Sequence, residues 1–314
     1  MASLSKRRWW PYAAVVLAAT MWGSIGTSYA LLLDRIDTDP LTLVTIRACT
    51  ATLLLATWLG LCDRSAFAVS RRELPRLTIF GLVTVTLFYP VLIYTFVETS
   101  VAVGTLLLYL APALVTIVAA FTLGETLSRL KGVALLATLG GCWLVVEGYD
   151  PANLRANAFG LSLGLIAALC YAAYSLLGKQ LLGRLRTSTV LMWHLLVGSV
   201  GLLAVKLATT PTAWPNWDAI AIIAGYGGVI ATLAPITLYT VGLSGMPSSE
   251  ASILATWEPV VAIFLAAVVL REPLGAPQWL GAATVGVGLI ILATRGRGMA
   301  RTRVSPAVLP GGQA

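Results

Sequence analysis

Two stretches of this chain, one in each half, have nearly the same pattern. Residues 111–127 read APALVTIVAAFTLGETL, and residues 258–274 read EPVVAIFLAAVVLREPL. A shift of 147 residues pairs Pro112 with Pro259 and Glu125 with Glu272. Both stretches lie in apolar runs of about 20 residues, the length that crosses a bilayer as a helix. They predict a helical membrane protein built from two related halves.

The composition of the whole chain supports a membrane location. Of the 314 residues, 58% are hydrophobic and 11% are charged, against roughly 45–50% and about 25% in soluble domains. The mean hydropathy is +0.87. A soluble core could not bury this much apolar surface, and the same numbers exclude a disordered chain. The four cysteines are isolated and predict no disulfide framework.

The apolar runs divide the chain into ten candidate spans. Strands of a membrane barrel would be half as long and would alternate apolar with polar residues, which these runs do not do. We therefore expect an all-α polytopic membrane protein. Its predicted transmembrane helices are 11–33, 41–61, 77–97, 100–123, 130–147, 156–178, 187–208, 217–243, 249–270 and 276–294.

The basic residues predict the orientation of these helices. Sixteen of the 21 Lys and Arg residues lie at one set of alternate helix ends, four lie at the other set, and Arg47 lies inside a span. This asymmetry is typical of cytoplasmic loops, not of a nucleic-acid surface, although the net charge is +8. We expect both termini in the cytoplasm and a multi-pass location in a bacterial inner (plasma) membrane.

An odd number of helices in each half requires the second half to insert upside down. We assign residues 1–147 to a first five-helix repeat and 148–295 to a second, inverted one. Residues 296–314 form a basic tail that we expect to be disordered and cytoplasmic. The shift of 147 also pairs Arg47 with His194, the single histidine. Inverted repeats with a site near the midplane are typical of secondary transporters.

The tracts LLYLAPALVTIVAAFTLGE (107–125) and ATWEPVVAIFLAAVVLREP (255–273), with Trp22-Gly23-Ser24, resemble the EamA-type domain of the drug/metabolite transporter superfamily. This resemblance covers residues 13–294. It implies a ten-helix bundle of two repeats that exports small metabolites from bacteria by alternating access. Ala111-Pro112 replaces the Glu-Pro frequent in that family, which leaves an intramembrane acid at this position to the second half alone.

Glu258 is the first candidate for the site, because it lies nine residues into a span. A charge at the bilayer centre costs about 2.5–3.5 kcal/mol on insertion scales, so it is functional by default. The alternative is that Glu258 bonds backbone groups freed by Pro259. We hypothesise that it alternates between a proton and a substrate amine or cation.

The other candidates are polar and aromatic residues on the repeated helices, for which packing and interfacial anchoring are the alternatives. Prolines in the third and eighth spans remove backbone donors and can free carbonyls for a ligand. The expected cavity residues are Thr105, Tyr109, Pro112, Ser252, Thr256, Trp257, Glu258, Tyr89, Tyr94, Tyr239, Trp22 and Tyr174, with Tyr171 beside them. Second-rank intramembrane candidates are Arg47, which could snorkel to the interface, and His194, which could simply pack.

We expect a secondary transporter that exports a small metabolite by alternating access. Amino acids, aromatic or otherwise neutral, are the expected substrates. A multidrug or nucleobase exporter is the alternative, and a membrane-embedded enzyme is a more distant one, since a single histidine and no paired acids in any span offer little chemistry. We expect no catalytic residues, no cofactor and no metal site. The expected partners are the substrate and the lipid bilayer, without nucleic acid, and the oligomeric state is left open.

Overall fold

The computed structural model describes residues 2–32, 38–99, 101–154, 157–211, 214–271 and 273–298. The regular secondary structure of these residues is helical, and no β-strand occurs among them. The helices are α1 Ala2–Leu32, α2 Pro40–Cys62, α3 Leu74–Glu98, α4 in two segments Val101–Leu108 and Ala111–Thr122, α5 Arg129–Val145, α6 Ala158–Leu182, α7 Thr187–Thr209, α8 Trp217–Gly245, α9 Ser248–Leu270 and α10 Ala276–Gly298. The predicted tail lies outside the described residues from position 299, as does Glu272.

Within this described part, seven helices are long and apolar enough to cross a membrane: α2, α3, α4, α6, α7, α8 and α9. Each predicted span coincides with one of the helices to within a few residues, except that α1 begins at Ala2, nine residues before the predicted start. α5 has 17 residues, and the apolar part of α10 is Ala276–Leu292. The chain is thus a multi-pass membrane protein, while the full count of ten spans stays a prediction.

The outward-facing side chains of the bundle are apolar. Leu53, Leu61, Phe121 and Leu136 are each more than 65% exposed. A soluble protein rarely presents such continuous apolar surface. This surface is the one that lipid would cover.

Several helices begin where a side chain accepts from a backbone N–H that lacks a helical partner. Asp39 accepts from the amide of Thr42 at 2.9 Å, and Pro40 occupies the first turn of α2. Three other helices begin in the same way, at Ser128 for α5, Asn157 for α6 and Asn216 for α8. The polar residues between the apolar runs therefore mark the helix starts.

Two helices are broken near their middles, at positions related by the shift of 147. α4 is interrupted at Tyr109-Leu110, and α9 is interrupted at Thr256-Trp257. The second segment of each has a proline in its first turn. Proline has no N–H to donate and disfavours helical geometry in the residue before it, which is the physical cause of both breaks.

Close approaches between helices hold the bundle around these breaks. A Cβ at Gly23 of α1 would lie 2.6 Å from the carbonyl oxygen of Glu258, so α1 packs directly on the break in α9. α5 and α10 meet at Gly141 and Gly281, where a Cβ on either glycine would lie 2.7 Å from the carbonyl oxygen of the other. Only glycine permits such contacts.

The first and second halves also contact each other at equivalent positions. The hydroxyl oxygens of Thr52 on α2 and Ser199 on α7 lie 3.0 Å apart. Their positions differ by 147, the shift that aligns the two halves. Residues near a two-fold axis contact their own equivalents.

We call the end of the bundle that carries Lys131, Lys179 and Arg186 the basic end. The loops that join α1 to α2 and α5 to α6 lie at the other end, which we call the opposite end.

Candidate functional site

A cavity of about 720 Å³ lies among the helices. Pockets for small molecules usually measure about 300–1,000 Å³. The cavity extends to the opposite end, where its walls include Thr38, Pro40, Phe96, Glu147 and Gln278. Its other limit is near the middle of the bundle, and no residue of the loops at the basic end lines it.

The structure brings together many of the residues expected at the site. These come from α1, α2, α3, α4, α6, α7 and α9, so the cavity draws on both halves of the chain. The expected residues that line it are Trp22, Tyr89, Thr105, Tyr109, Tyr174 and Glu258, with Tyr171 and the second-rank Arg47 and His194.

Six expected cavity residues lie outside its lining: Tyr94, Pro112, Tyr239, Ser252, Thr256 and Trp257. Tyr94 is 51% exposed on the outer surface. The hydroxyls of Ser252 and Thr256 donate to the carbonyls three residues earlier, at 3.0 and 2.6 Å. A regular helical spacing predicts which residues share a face, but it does not predict which face lines a cavity, and these two hydroxyls bond the backbone of their own helix.

Glu258 begins the second segment of α9 and lines the cavity. A side-chain hydrogen bond joins it to Tyr109, which lies at the equivalent break in α4. Within the described residues no cation forms an ion pair with Glu258. The two helix breaks therefore place an unpaired carboxylate and a phenol together in the cavity wall.

Arg47 reaches from α2 to α8 and also lines the cavity. Its Nε donates to Thr232 Oγ1 at 3.1 Å, and its NH2 group donates to the carbonyl of Ala231 at 3.0 Å. Ala231 belongs to a π-helical stretch of α8, Ile223–Leu233, that ends just before Pro235. Arg47 thus bonds the backbone of α8 at the turn that precedes this proline.

Tyr89 lies beside this guanidinium, which is 5.8 Å from the centre of its ring. The face of an aromatic ring attracts a cation at this distance. Arg47 is therefore anchored on two sides by the protein while its charge remains without a carboxylate partner among the described residues.

An aromatic floor, which we define as Trp22, Phe80, Tyr174, His194 and Tyr239, closes the cavity towards the basic end. Neighbouring rings in it have centroids 4.6–5.7 Å apart. Tyr239, expected in the cavity, is instead fully buried in this floor, with its hydroxyl 2.8 Å from Ser175 Oγ. The floor separates the cavity from the basic end.

The hydrogen bonds of His194 indicate its tautomer. The hydroxyl of Thr84 donates to the carbonyl of Phe80 at 2.6 Å, so His194 Nε2 must supply the proton between His194 and Thr84 Oγ1, which lie 2.9 Å apart. A neutral ring then has Nδ1 as an acceptor. That nitrogen is buried and has no hydrogen-bond partner within the described residues.

Much of the cavity wall is apolar and was not singled out from the sequence. Phe88 stacks on Tyr171, with ring centroids 6.0 Å apart and ring planes at 14°. Other such residues are Leu92, Ile93, Phe96, Val145 and Ile263. Apolar residues are so common in these helices that composition cannot distinguish a cavity wall from a lipid-facing or packed surface.

A polar cluster joins α1, the loop between α4 and α5, α5 and α9 at the basic end; we define it as Tyr12, Glu125, Lys131, Ser248, Ser249 and Glu250. Both carboxylate oxygens of Glu125 accept from the first turn of α9, including the amide of Ser248 at 2.6 Å and that of Ser249 at 3.2 Å. The hydroxyls of both serines donate to it as well. A carboxylate at a helix N-terminus also interacts favourably with the helix dipole.

Lys131 lies at the centre of the polar cluster, with its side chain 3% exposed. Its Nζ is 3.5 Å from Glu125 and 4.0 Å from Glu250, and Tyr12 donates to Glu250 at 2.5 Å. Burial alone would raise the pKa of Glu125, but the hydrogen bonds from Ser249 and Ser248 outweigh it and lower that pKa below the ordinary 4.5. From the sequence, Lys131 contributed only to the predicted orientation and Glu125 only to the alignment of the two halves, and their contact was not predicted.

The model of the EamA-like transporter family matches this chain twice, over residues 9–147 and 158–294. Similar proteins include the uncharacterized transporter YwfM of Bacillus subtilis, 28% identical over 90% of this chain and 93% of the relative. The uncharacterized inner membrane transporter YicL of Salmonella typhimurium is 26% identical over 91% and 96%.

Further matches agree with these. Protein PecM of Dickeya dadantii is 25% identical over 92% of this chain and 94% of its own length. A protein of known crystal structure superposes with a TM-score of 0.76 over 92% of this chain and 98% of its own, at 17% identity, which shows a shared fold. Since the family model covers both halves around the cavity, this chain belongs to the EamA-like transporter family.

Proposed function

We propose that this protein exports amino acids, aromatic or otherwise neutral, by alternating access. The observation that carries the proposal is a cavity that extends to one end of the bundle and is closed at the other by the aromatic floor and the polar cluster. A carrier must expose one site to each side in turn, and this arrangement corresponds to one of its two states.

The proposal includes ten transmembrane helices in two inverted repeats. The paired breaks at Tyr109-Leu110 and Thr256-Trp257 support it, as does the contact between Thr52 and Ser199. α1, α5 and α10 would supply the three spans beyond the seven that meet the length and hydropathy of a span.

The orientation follows from the basic residues. The basic end would face the cytoplasm of a bacterium, with both termini on that side of the inner membrane. The cavity then extends to the periplasmic side, and the state described is outward-facing. Release of an exported substrate occurs from this state.

The lining supports an amino-acid substrate. Aromatic rings and apolar side chains form most of the wall, and hydroxyls of Thr84, Thr105 and Tyr109 supply a few polar contacts. Pockets that combine an apolar wall with a few polar groups bind small amphipathic molecules in a defined orientation. Phe88 and Tyr171 offer stacked rings on which an apolar side chain can pack.

Counterflow in proteoliposomes tests the proposal. Purified protein in vesicles loaded with unlabelled phenylalanine should accumulate external labelled phenylalanine transiently, and the exchange should saturate. Empty vesicles and vesicles loaded with a sugar are the controls. Counterflow of a nucleobase or a cationic drug without counterflow of any amino acid would replace the proposed substrate, and chemical conversion of the label would indicate an enzyme.

Tyr109→Ala tests whether the cavity is the transport site. Because Tyr109 is 3% exposed and bonds Glu258, its loss should reduce counterflow at least about tenfold. Tyr94→Ala, on the exposed surface, is the matched control and should retain the rate. Equal effects of the two substitutions, corrected for folded yield, would remove the cavity from the mechanism.

A further inference from the structure

Besides Glu147 at its opposite end, the cavity is lined by two opposite charges, and neither forms an ion pair with a described residue. Arg47 and Glu258 both belong to the cavity wall. No described carboxylate forms an ion pair with Arg47, and no described cation forms one with Glu258. Unpaired charges inside a membrane are costly, so a site that keeps one of each sign is suited to a ligand that carries both.

The two groups are held differently. Arg47 is fixed by the hydroxyl of Thr232, by the carbonyl of Ala231 and by the ring of Tyr89. These contacts use two nitrogen donors and one face of its guanidinium group. A guanidinium has five N–H donors, so donors remain for a carboxylate. Glu258 is held by Tyr109 alone among side chains, which leaves acceptor capacity for an ammonium group.

Their heights in the bundle suit a small molecule. Glu258 lies within a residue of the middle of α9, and Arg47 lies four residues from the middle of α2 on the side of the opposite end. With the middles of the two helices at one height and 1.5 Å per residue, the two backbone positions differ by about 7.5 Å along the bundle. That offset is comparable to the length of a small zwitterion.

A third group points to a polar ligand near Glu258. Tyr171 is 8% exposed and lines the cavity, yet its hydroxyl makes no hydrogen bond within the described residues. Its ring stacks on Phe88, so a ligand that satisfied this hydroxyl would also contact the apolar wall. Buried hydroxyls without a partner are rare in folded proteins.

We propose that the cavity selects zwitterions, with Arg47 as the carboxylate-binding residue and Glu258, assisted by Tyr171, as the ammonium-binding residue. This inference rests on the proposed function and names the chemical feature by which the carrier recognises its substrate. An amine alone would leave Arg47 unpaired and would meet its repulsion, and a carboxylic acid alone would meet the repulsion of Glu258. An uncharged nucleobase would neutralise neither group.

Three analogues of one size separate these contributions: phenylalanine, phenethylamine, which lacks the carboxylate, and 3-phenylpropionate, which lacks the ammonium. Each is tested as a competitor of labelled phenylalanine counterflow. The wild-type protein should prefer phenylalanine to either analogue by at least about tenfold. Arg47→Gln should remove the preference over phenethylamine and keep the preference over 3-phenylpropionate, and Glu258→Gln should do the reverse.

Arg72→Gln, an exposed residue at the basic end, is the control and should change neither preference. If Arg47→Gln does not fold because α8 loses its anchor, Arg47→Lys keeps the charge and should preserve the order of the analogues. Thermal shift of wild-type protein with each analogue gives an independent readout, in which phenylalanine should stabilise the most.

The outcomes distinguish this inference from the proposed function. Counterflow of phenylalanine with equal competition by all three analogues would overturn zwitterion selection and leave the carrier intact. Counterflow of no amino acid would overturn the proposed function itself. Variants that weaken all three competitors equally would show that Arg47 and Glu258 only maintain the fold.

Discussion

Glu125 has the densest set of interactions of any carboxylate in the described part of the chain. Its oxygens bond two amides and two hydroxyls at the start of α9, and Lys131 lies 3.5 Å away. These interactions connect the loop after α4 with α5 and α9 at the closed end. In the proposed alternating-access cycle, opening of this end requires them to break, so the free energy of the polar cluster would set part of the balance between the two proposed states.

Glu125→Gln should loosen the closed end. The amide keeps the shape but offers one acceptor oxygen in place of two, and the buried Lys131 loses a counter-charge, a change worth about 1–3 kcal/mol. Maleimide labelling of Thr240→Cys, buried between the floor and the basic end, should become about tenfold faster or more. Glu73→Gln, in a surface ion pair with Arg76, is the control and should leave labelling unchanged.

Acid should reproduce the effect of this substitution. The pKa of Glu125 is lowered in the folded protein, so its contribution to the closed end is present above the ordinary value of 4.5 and is lost as pH falls through the lowered pKa. We compare the labelling rate of Thr240→Cys in the presence and in the absence of Glu125→Gln. The ratio of these two rates should therefore approach one below that pKa. A ratio constant from pH 7 to pH 3 would show that the charge of Glu125 does not hold this end.

At the level of helices, the breaks in α4 and α9 are the elements that build the site. Each break brings the start of a half-helix to the middle of the bundle, where Tyr109 and Glu258 meet. α1 packs on the break in α9 at Gly23, and Arg47 of α2 bonds the backbone of α8 just before Pro235. Prolines and glycines thus determine how closely the helices that carry the charges approach.

Gly23→Ala should destabilise the protein. Its Cβ would lie 2.6 Å from the Glu258 carbonyl and 2.8 Å from Val261 Cβ, an overpacking that costs about 1–3 kcal/mol against a helix-propensity gain of about 1 kcal/mol. The melting temperature and counterflow should both fall. Gly286→Ala in α10, where a Cβ meets nothing within 4 Å, should keep or raise the melting temperature. A stable Gly23→Ala variant would mean that α1 can move from the break without cost.

Pro235→Ala should weaken the hydrogen bond that positions Arg47 without lowering the stability of α8. The new N–H can bond the carbonyl of Ala231, which competes with Arg47 for it. We expect the melting temperature to stay or rise and phenylalanine counterflow to fall several-fold, since 1.4 kcal/mol is a factor of ten. Pro75→Ala, in the first turn of α3 where no helical bond is lost, is the control. Unchanged counterflow in Pro235→Ala would show that Arg47 does not depend on this carbonyl.

The whole molecule combines both halves in one site. α1 to α4 supply Trp22, Arg47, Tyr89 and Tyr109, while α6, α7 and α9 supply Tyr171, His194 and Glu258. Paired residues such as Arg47 and His194 line the same cavity from equivalent helices. The proposed inverted repeat would explain this, because its two copies would meet across an axis in the membrane plane.

The proposed orientation predicts where reporters fused to the chain will be active. A fusion after Arg301 should report the cytoplasm, and a fusion after Tyr149, in the loop between α5 and α6, should report the periplasm. The reason is the excess of basic residues at the end that carries Lys131 and Lys179. Periplasmic activity at Arg301 would require an odd number of spans and would contradict the inverted repeat.

The positions of the helices, the family and the relation between the halves could be read from the chain alone. Hydropathy and length act locally, since every residue of a spanning helix must suit the same lipid environment. The prolines of 111–127 and 258–274 marked the breaks for the same reason, because a missing N–H acts on its own turn. Glu258 stands out in the sequence because a charged side chain in the middle of a span has a high insertion free energy, whatever its neighbours are.

The composition of the cavity was decided only by the tertiary structure. Ser252 and Thr256 looked equivalent to Thr105 and Tyr109 by spacing, and Tyr239 looked equivalent to Tyr94, but all three are buried outside the cavity lining with their hydroxyls bonded to the protein. Glu250 meets Lys131 across 119 positions of chain, and Glu125 meets the start of α9 across 123. Arg47 and Glu258 share one cavity although 211 positions separate them. Such contacts depend on how helices rotate and pack against each other, which hydropathy does not encode.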